Sequence, residues 1–423
     1  MTPRHGPPLA AEDAARLHMS SAVNPMVIRA LLVLSRPVER ERIEARFAAR
    51  LGNHPRFRQC VVRPRLGLGM PRWADDPSFD VRHHVHGVDA ARFPGAPSLE
   101  RIASDLANID LAEHRPLWRL HVIDGTEPAL LFCVHHAIAD GAALLSLLAA
   151  LADESPTAEL LSGPAERDVH GRAWKFTEGA IAAARFALAP PDPETPLRGP
   201  LSEDKLFTYS SALSLAQLRK TARRLDMTVT SLLLAAVSGA LRKEVSSSMS
   251  ADGLVLHALV PVALRRRRPG LLGNHYGSAL VPLPVGHQDR EMRICATRTA
   301  ASTLRSRATG TTAASMAVVA GATLPAAPHA AISFYSRKAS VVVSSVRGPE
   351  QPLHLCGSRI RDVIVWAPPS GEIAFSVTLM SYAGRARIGV AADARVLRDG
   401  RRIVRELEDE IASIASFASS TTA

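Results

Sequence analysis

The chain has little of several things. Aromatic residues make up 4% of its 423 residues. No nucleic-acid-binding motif or basic stripe interleaved with aromatics is present, so a nucleic-acid partner is not expected. Four cysteines, Cys60, Cys133, Cys295 and Cys356, lie far apart without CxxC spacing and are too few to staple a chain of this length. Reduced thiols in a cytosolic protein are therefore expected. Lysine is scarce, at five of the 51 basic residues, the rest being arginine. With 40 acidic residues the net charge is +11, a positive field that favours polyphosphates, nucleic acids or anionic lipid surfaces over cationic ligands. Acidic residues and prolines interrupt residues 1–17, where a signal peptide would need a continuous apolar core, so export is not expected. Long apolar runs are missing too. Residues 308–336 hold no Asp, Glu, Lys or Arg, but they are rich in small residues and broken by Pro325 and Pro328. A surface-touching or groove-lining segment is expected there rather than a membrane span.

What is present reads as globular: 47% apolar and 22% charged residues, in a chain longer than one hydrophobic core usually organises. No repeat of 20 to 50 residues is visible. Residues 26–34 read as a strand, and Ile43, Phe47 and Leu51 mark one face of a helix over 39–51. Ser98 is placed to cap a helix whose apolar face carries Leu99, Ile102, Leu106 and Ile109. Two β-rich runs, 118–123 and 129–134, flank Asp124-Gly125 and predict a hairpin that delivers the chain to His135. A Leu/Ala-rich helix over 141–151 follows. Residues 153–204, with a Pro-rich run at 189–193 and one possible helix at 174–188, read as a linker. Beyond it the pattern predicts helices from Ser214 and Thr228, strands at 254–262, 277–285, 339–346, 360–365, 373–381 and 385–391, and a C-terminal helix with Val404, Leu407, Ile411 and Ile414 on one face. The expected organisation is an N-terminal half over 1–152, a crossover segment over 153–204 and a C-terminal half over 205–423, both halves α/β.

The most informative stretch is His135-His136-Ala137-Ile138-Ala139-Asp140-Gly141, an HHxxxDG pattern between a predicted strand and a predicted helix. A histidine at a strand end is held rigidly, and imidazole is the side chain best matched to proton transfer near neutral pH. Asp140 can hold the turn, and Gly141 leaves room for a ligand. The spacing equally fits two histidines satisfied at a strand end and an Asp that merely caps the next helix. His83, His84 and His86 offer a weaker pattern. In an extended chain His84 and His86 share one face and His83 takes the other, with no cysteine and few acids nearby, so no metal is expected. The arginine run 265–268 reads as a solvated loop, with contact to phosphates or lipid head groups as its functional alternative.

HHAIADG, taken with PLWRLHVIDG at 116–125, LGNHYGSALVPLPVG at 272–286, VVSSVRGP at 342–349 and the segment 368–394, resembles the bacterial wax ester synthase/diacylglycerol acyltransferase family. The matches keep the family's order and span nearly the whole chain, from NPMVI at 24–28 onward. HHxxxDG alone is shared with chloramphenicol acetyltransferases, peptide-synthetase condensation domains and plant acyltransferases.

The resemblance implies two chloramphenicol-acetyltransferase-like α/β sandwich halves with an active-site tunnel between them. It implies His136 as general base, His135 as support of its loop, and Asp140 as a structural residue fixing the turn through an arginine. Trp118 falls in the family's PLW motif and Asn274 in its GN element. Two departures stand out. Where the family has Asn-Asp at a helix start, this chain has Thr230-Ser231, and the family's Ser-Asn-Val before Gly-Pro is Ser344-Ser345-Val346. Ser344 and Ser345, with Asn274 and Trp118, are the expected oxyanion or substrate-positioning residues. No GxSxG nucleophile motif is present, so direct transfer is expected over an acyl-enzyme. The implied reaction moves a long-chain acyl group from acyl-CoA, a co-substrate, to a fatty alcohol or diacylglycerol, with no cofactor or metal. Peripheral contact with a membrane or lipid droplet goes with it. The alternatives are a related acyltransferase or condensation enzyme acting on another hydroxylated or amino-bearing metabolite, and a non-catalytic lipid- or CoA-binding relative.

Overall fold

A computed structural model describes residues 5–52, 54–64, 69–95, 97–154, 188–263, 272–274, 276–302, 304 and 333–420. The arginine run 265–268, most of the 308–336 segment and all but the last residue of the possible helix at 174–188 lie outside these residues.

The first half runs β1 (His5–Pro8), α1 (Ala11–Met19), β2 (Val27–Leu34), α2 (Arg40–Arg50), β3 (Gln59–Val62), β4 (Arg72–Asp75), β5 (Val85–Asp89), α3 (Leu99–Ala107), β6 (Trp118–Asp124), β7 (Ala129–His135) and α4 (Gly141–Leu151). The second runs β8 (Lys205–Tyr209), β9 (Leu213–Ser214), α5 (Leu215–Arg224), α6 (Val229–Ser246), β10 (Leu256–Ala263), β11 (Tyr276–Leu283), α7 (Arg290–Ser302), β12 (Val341–Arg347), β13 (His354–Leu355), β14 (Ser358–Trp366), β15 (Phe375–Tyr382), β16 (Arg385–Asp393) and α8 (Gly400–Ser420).

All eight residues of β2 are buried, because the strand is covered on both faces. Ile43 and Phe47 of α2 and Leu120, Phe132 and Leu144 pack on one side of its sheet, and Leu99, Ile102, Ala103 and Leu131 on the other. Ser98 caps α3 as its position suggests, accepting from the Arg101 amide. The helix stops earlier than its periodicity predicts. Asn108 ends it and ties it to the second half, its Nδ2 donating to the Ser104 and Lys205 carbonyls at 3.1 and 2.8 Å. Ile109, expected on the apolar face, lies past this cap and is exposed. The small antiparallel sheet β1-β4-β3 has no counterpart in the sequence reading; its strands are four residues each, too short for alternation to show.

Sequence order and sheet membership part company at one place. The second sheet runs β11-β10-β12-β15-β16-β8, with β9 also on β16. The first runs β13-β14-β2-β7-β6-β5, so two strands from the second half complete the first half's sheet. β14 lies antiparallel to β2, from Ile360 opposite Leu34 to Trp366 opposite Arg29. Trp366 is fully buried where the halves meet, packed among Val27, Leu31, Phe207 and Ala391, and its indole N–H donates to the Thr208 carbonyl at 2.8 Å.

At this junction β16 passes so close over β14 that a Cβ on Gly389 would run into the Val365 carbonyl oxygen and the Trp366 ring. Neither neighbour can retreat, one being backbone in a ladder and the other a locked indole. Gly389→Ala is expected to destabilise the fold by about 1–3 kcal/mol, read as a lower urea midpoint at unchanged slope.

Candidate active site

The β6–β7 hairpin delivers the chain to His135, and the turn that follows is fixed by backbone bonds. The His135 amide donates to the Leu117 carbonyl at 3.0 Å, the His136 amide to Met26 at 2.7 Å and the Ile138 amide to His135 at 2.9 Å. His135 Nδ1 accepts from the Ala137 amide at 3.0 Å, so this ring spends a nitrogen on its own turn. Burial, with His136 and Arg63 adding to it, pushes its pKa down to about 3. Asp140 caps α4, its Oδ1 accepting from the Ala143 amide at 2.8 Å. Gly141 opens that helix and faces Val346 of β12, whose Cγ2 would stand 3.6 Å from an added Cβ.

The second half closes the site. The Gly273 amide donates to the Ile138 carbonyl at 3.0 Å and its carbonyl accepts from Asp140 at 3.3 Å, with Gly273 at φ +95°, a left-handed conformation suited to glycine. Asn274, next in the chain, is buried against His136. Its Nδ2 donates to the His136 carbonyl at 2.7 Å and to Asp13 Oδ1 at 2.8 Å. A backbone carbonyl can only accept, so the amide's orientation is forced and Oδ1 must face His136 Nδ1, 2.7 Å away. Nδ1 therefore carries the proton, and Nε2 presents its lone pair.

That lone pair looks toward Tyr276, the first residue of β11, whose hydroxyl stands 3.4 Å from Nε2. The Arg16 guanidinium, from α1, lies 4.8 Å from the Tyr276 ring centre. Burial first, then the positive field of Arg16, pushes the His136 pKa down to about 4, against opposing pulls from Asp140 and Asn274. Burial pushes Tyr276 up to about 12. Burial also raises Asp13, to about 6, outweighing its bonds to Asn274 and the charge of Arg56.

Of the residues expected from sequence, His135, His136, Asp140, Gly141 and Asn274 come together. Trp118 does not join them. It is stacked between Phe47 and His84, at centroid distances of 4.2 and 4.3 Å, with its indole N–H on the Phe57 carbonyl, and it acts as a core residue holding β6. Ser344 is buried and Ser345 exposed on successive positions of β12, two and one residues before Val346. At the start of α6, Thr228 caps the helix through the Ser231 amide at 3.0 Å and meets the Ser231 hydroxyl at 2.8 Å. The departure at Thr230-Ser231 thus leaves a capped helix without a carboxylate in its first turn. His84 and His86 do not share a face, because a 3-10 turn over Val81–His83 delays the strand to Val85. His84 stacks on Trp118, while His86 meets His121. Among the described residues no three His, Cys, Asp or Glu side chains are grouped so as to hold a metal.

Asp13, Arg16 and Tyr276 were not visible as site residues. The one signal was the i, i+3 spacing of Asp13 and Arg16 on a short amphipathic helix, which puts both on one face. Nothing local says that this face meets Asn274 and Tyr276 more than 250 residues on.

Solved structures share this architecture. The wax ester synthase/diacylglycerol acyltransferase from Marinobacter aquaeolei VT8 superposes with a TM-score of 0.71 over 97% of this chain and 99% of that one, at 21% identity. The first condensation domain of the calcium-dependent antibiotic synthetase does so with a TM-score of 0.65 over 98% and 96%, at 13% identity. The fold is that of the two-half, chloramphenicol-acetyltransferase-like proteins, and in sequence the chain goes further. Residues 9–172 match the wax ester synthase/diacylglycerol acyltransferase catalytic domain and residues 272–415 the WS/DGAT C-terminal domain. A probable diacylglycerol O-acyltransferase of Mycobacterium tuberculosis is 29% identical over 97% of this chain and 94% of its own length. A putative one from the same organism is 26% identical over 92% and 86%. The chain belongs to the wax ester synthase/diacylglycerol acyltransferase family and is an acyltransferase.

The Asp13 site makes a pH-dependent prediction. A carboxyl raised from 3.8 to about 6 destabilises the fold fully above pH 6 and not at all below about 4, where it is protonated in both folded and unfolded chains. Asp13→Asn keeps an oxygen for Asn274 and removes the charge. It is expected to gain up to about 3 kcal/mol at pH 8, with the gain fading between pH 6 and 4. Thermal melts of both proteins across that range check it.

Proposed function

We propose that this chain transfers a long-chain acyl group from acyl-CoA directly to the hydroxyl of a diacylglycerol or fatty alcohol, with His136 Nε2 as the general base. The observation that carries this reading is the Asn274 clamp, which fixes the ring in the tautomer with its lone pair on Nε2, buried at the junction of the two halves. The acceptor hydroxyl gives its proton to Nε2 as its oxygen attacks the thioester carbonyl. The tetrahedral oxyanion then collapses, the C–S bond breaks, and the imidazolium returns the proton to the CoA sulfur. Such acid–base help is worth about 10²–10⁴-fold. Ser344, buried on the β12 segment that ends beside Gly141, is the oxyanion donor in this reading. His135 and Asp140 hold the turn and do not touch the reactants. The reaction needs no cofactor, acyl-CoA being a co-substrate. Both acceptors and both products are lipids, which supports peripheral contact with a membrane or lipid droplet. Among the described residues no single helix is long and apolar enough to cross a membrane.

His136→Ala, purified and folded with an unchanged melting temperature, is expected to lose at least 10²-fold in CoA release from palmitoyl-CoA with either acceptor. Wild-type turnover in that variant sinks the assignment. Because burial holds the ring neutral down to about pH 4, the acid limb of kcat/KM is expected near 4 and not near 6.5. A limb near 6.5 means that the base is some other, solvated group.

A further inference from the structure

We propose that Arg16 and Tyr276 set the acceptor class, selecting alcohols that carry an ester carbonyl beside the reacting hydroxyl over plain long-chain alcohols. The inference rests on the acyl-transfer reading and concerns the same side of His136.

Hydrogen-bond donors outnumber acceptors there. The Tyr276 hydroxyl is 3.4 Å from Nε2, close to the space that an acceptor oxygen must occupy when it bonds to that nitrogen at about 2.6–3.2 Å. Once substrate takes Nε2, the phenol proton has lost that neighbour and needs another oxygen. Burial keeps the phenol protonated, and hence a donor, throughout the working range. Arg16 is only partly satisfied. It hydrogen-bonds the Tyr276 oxygen, its Nη1 donates to the Met19 sulfur at 3.2 Å, a weak acceptor, and its Nε is buried with no hydrogen-bond partner. Asp13, one turn earlier on α1, has Oδ1 committed to Asn274. The guanidinium lies over the Tyr276 ring, 4.8 Å from its centre, so the two donors sit side by side.

A straight-chain alcohol brings one oxygen, which Nε2 uses, followed by methylenes. It leaves the phenol and the guanidinium facing hydrocarbon, and a site built from buried donors discriminates strongly against a ligand that cannot engage them. A 1,2-diacylglycerol carries an ester on the carbon next to its free hydroxymethyl group. That carbonyl oxygen, a few bonds from the nucleophile, supplies the acceptor. A phosphate-bearing acceptor would be a different class, drawn to the charge of Arg16 alone.

The test uses the full chain with palmitoyl-CoA and compares 1,2-dioleoylglycerol, 1-hexadecanol and the ether-linked 1-O-hexadecylglycerol-3-phosphate, which has a phosphate but no ester carbonyl, in matched mixed micelles. The wild type, Tyr276→Phe, Arg16→Met and Arg16→Lys are each followed by CoA release. The wild type is expected to have its highest kcat/KM with dioleoylglycerol. In Tyr276→Phe and Arg16→Met the ratio of the dioleoylglycerol to the hexadecanol value is expected to fall about tenfold or more, with partial recovery in Arg16→Lys. Equal losses with both neutral acceptors, a wild-type preference for hexadecanol, or fastest turnover of the phosphate-bearing acceptor would each overturn the inference. Turnover with none of the three sinks the acyl-transfer reading itself, and the inference with it.

Discussion

One side-chain amide holds the site together. Asn274 donates to a backbone carbonyl and a carboxyl from the first half and accepts from the ring between them. All three partners are buried, and buried polar groups left unpaired cost about 1–3 kcal/mol each. Any movement of the second half away from α1 and β7 would break the three bonds together. The same contact that closes the halves therefore also sets the tautomer of the ring. Asn24 makes a second bond between the halves, its Nδ2 donating to the Gly371 and Ile373 carbonyls at 2.7 and 3.2 Å.

The depressed pKa of His136 has a less obvious consequence. At neutral pH an ordinary histidine is already mostly uncharged, so burial adds little to the fraction of active base and makes the base weaker. What it strengthens is the conjugate acid. An imidazolium with a pKa near 4 gives up its proton readily to a thiolate, a far stronger base, the cysteine thiol for comparison having a pKa of about 8.5 in water. In the proposed transfer this favours the second half of the cycle, departure of CoA as the thiol. The first half, deprotonating an alcohol, must then be driven by concerted attack on the carbonyl and by stabilisation of the oxyanion.

Elements with a strong local signal were legible in the sequence. The β2 strand, apolar except for Arg29, the hairpin ending at His135, the caps Ser98, Ser214 and Thr228, and the stripe of α8 follow from periodicity and turn chemistry. So did the HHxxxDG turn, although its spacing could not separate His136 from a core histidine. What was not legible depends on distant pairing. Trp118 was expected to position substrate because it falls in the family's PLW motif, yet its ring is taken up in a core cluster with Phe47 and His84. Asp13, Arg16 and Tyr276 became site residues only because Gly273 bridges to Ala139 and brings the start of β11 beside α1.

The exchanged strand bears on how the protein is made. Ile360 pairs with Leu34, 326 positions earlier, so one flank of β2 stays without its partner until the second half has been made as far as β14, with only β15, β16 and α8 still to follow. At about 5–20 residues per second that interval is roughly 15–65 s. Throughout it the nascent chain displays an apolar, uncapped sheet edge of the kind that recruits chaperones or pairs with a neighbouring polypeptide. The N-terminal half is thus first in sequence but among the last parts of the molecule to be finished.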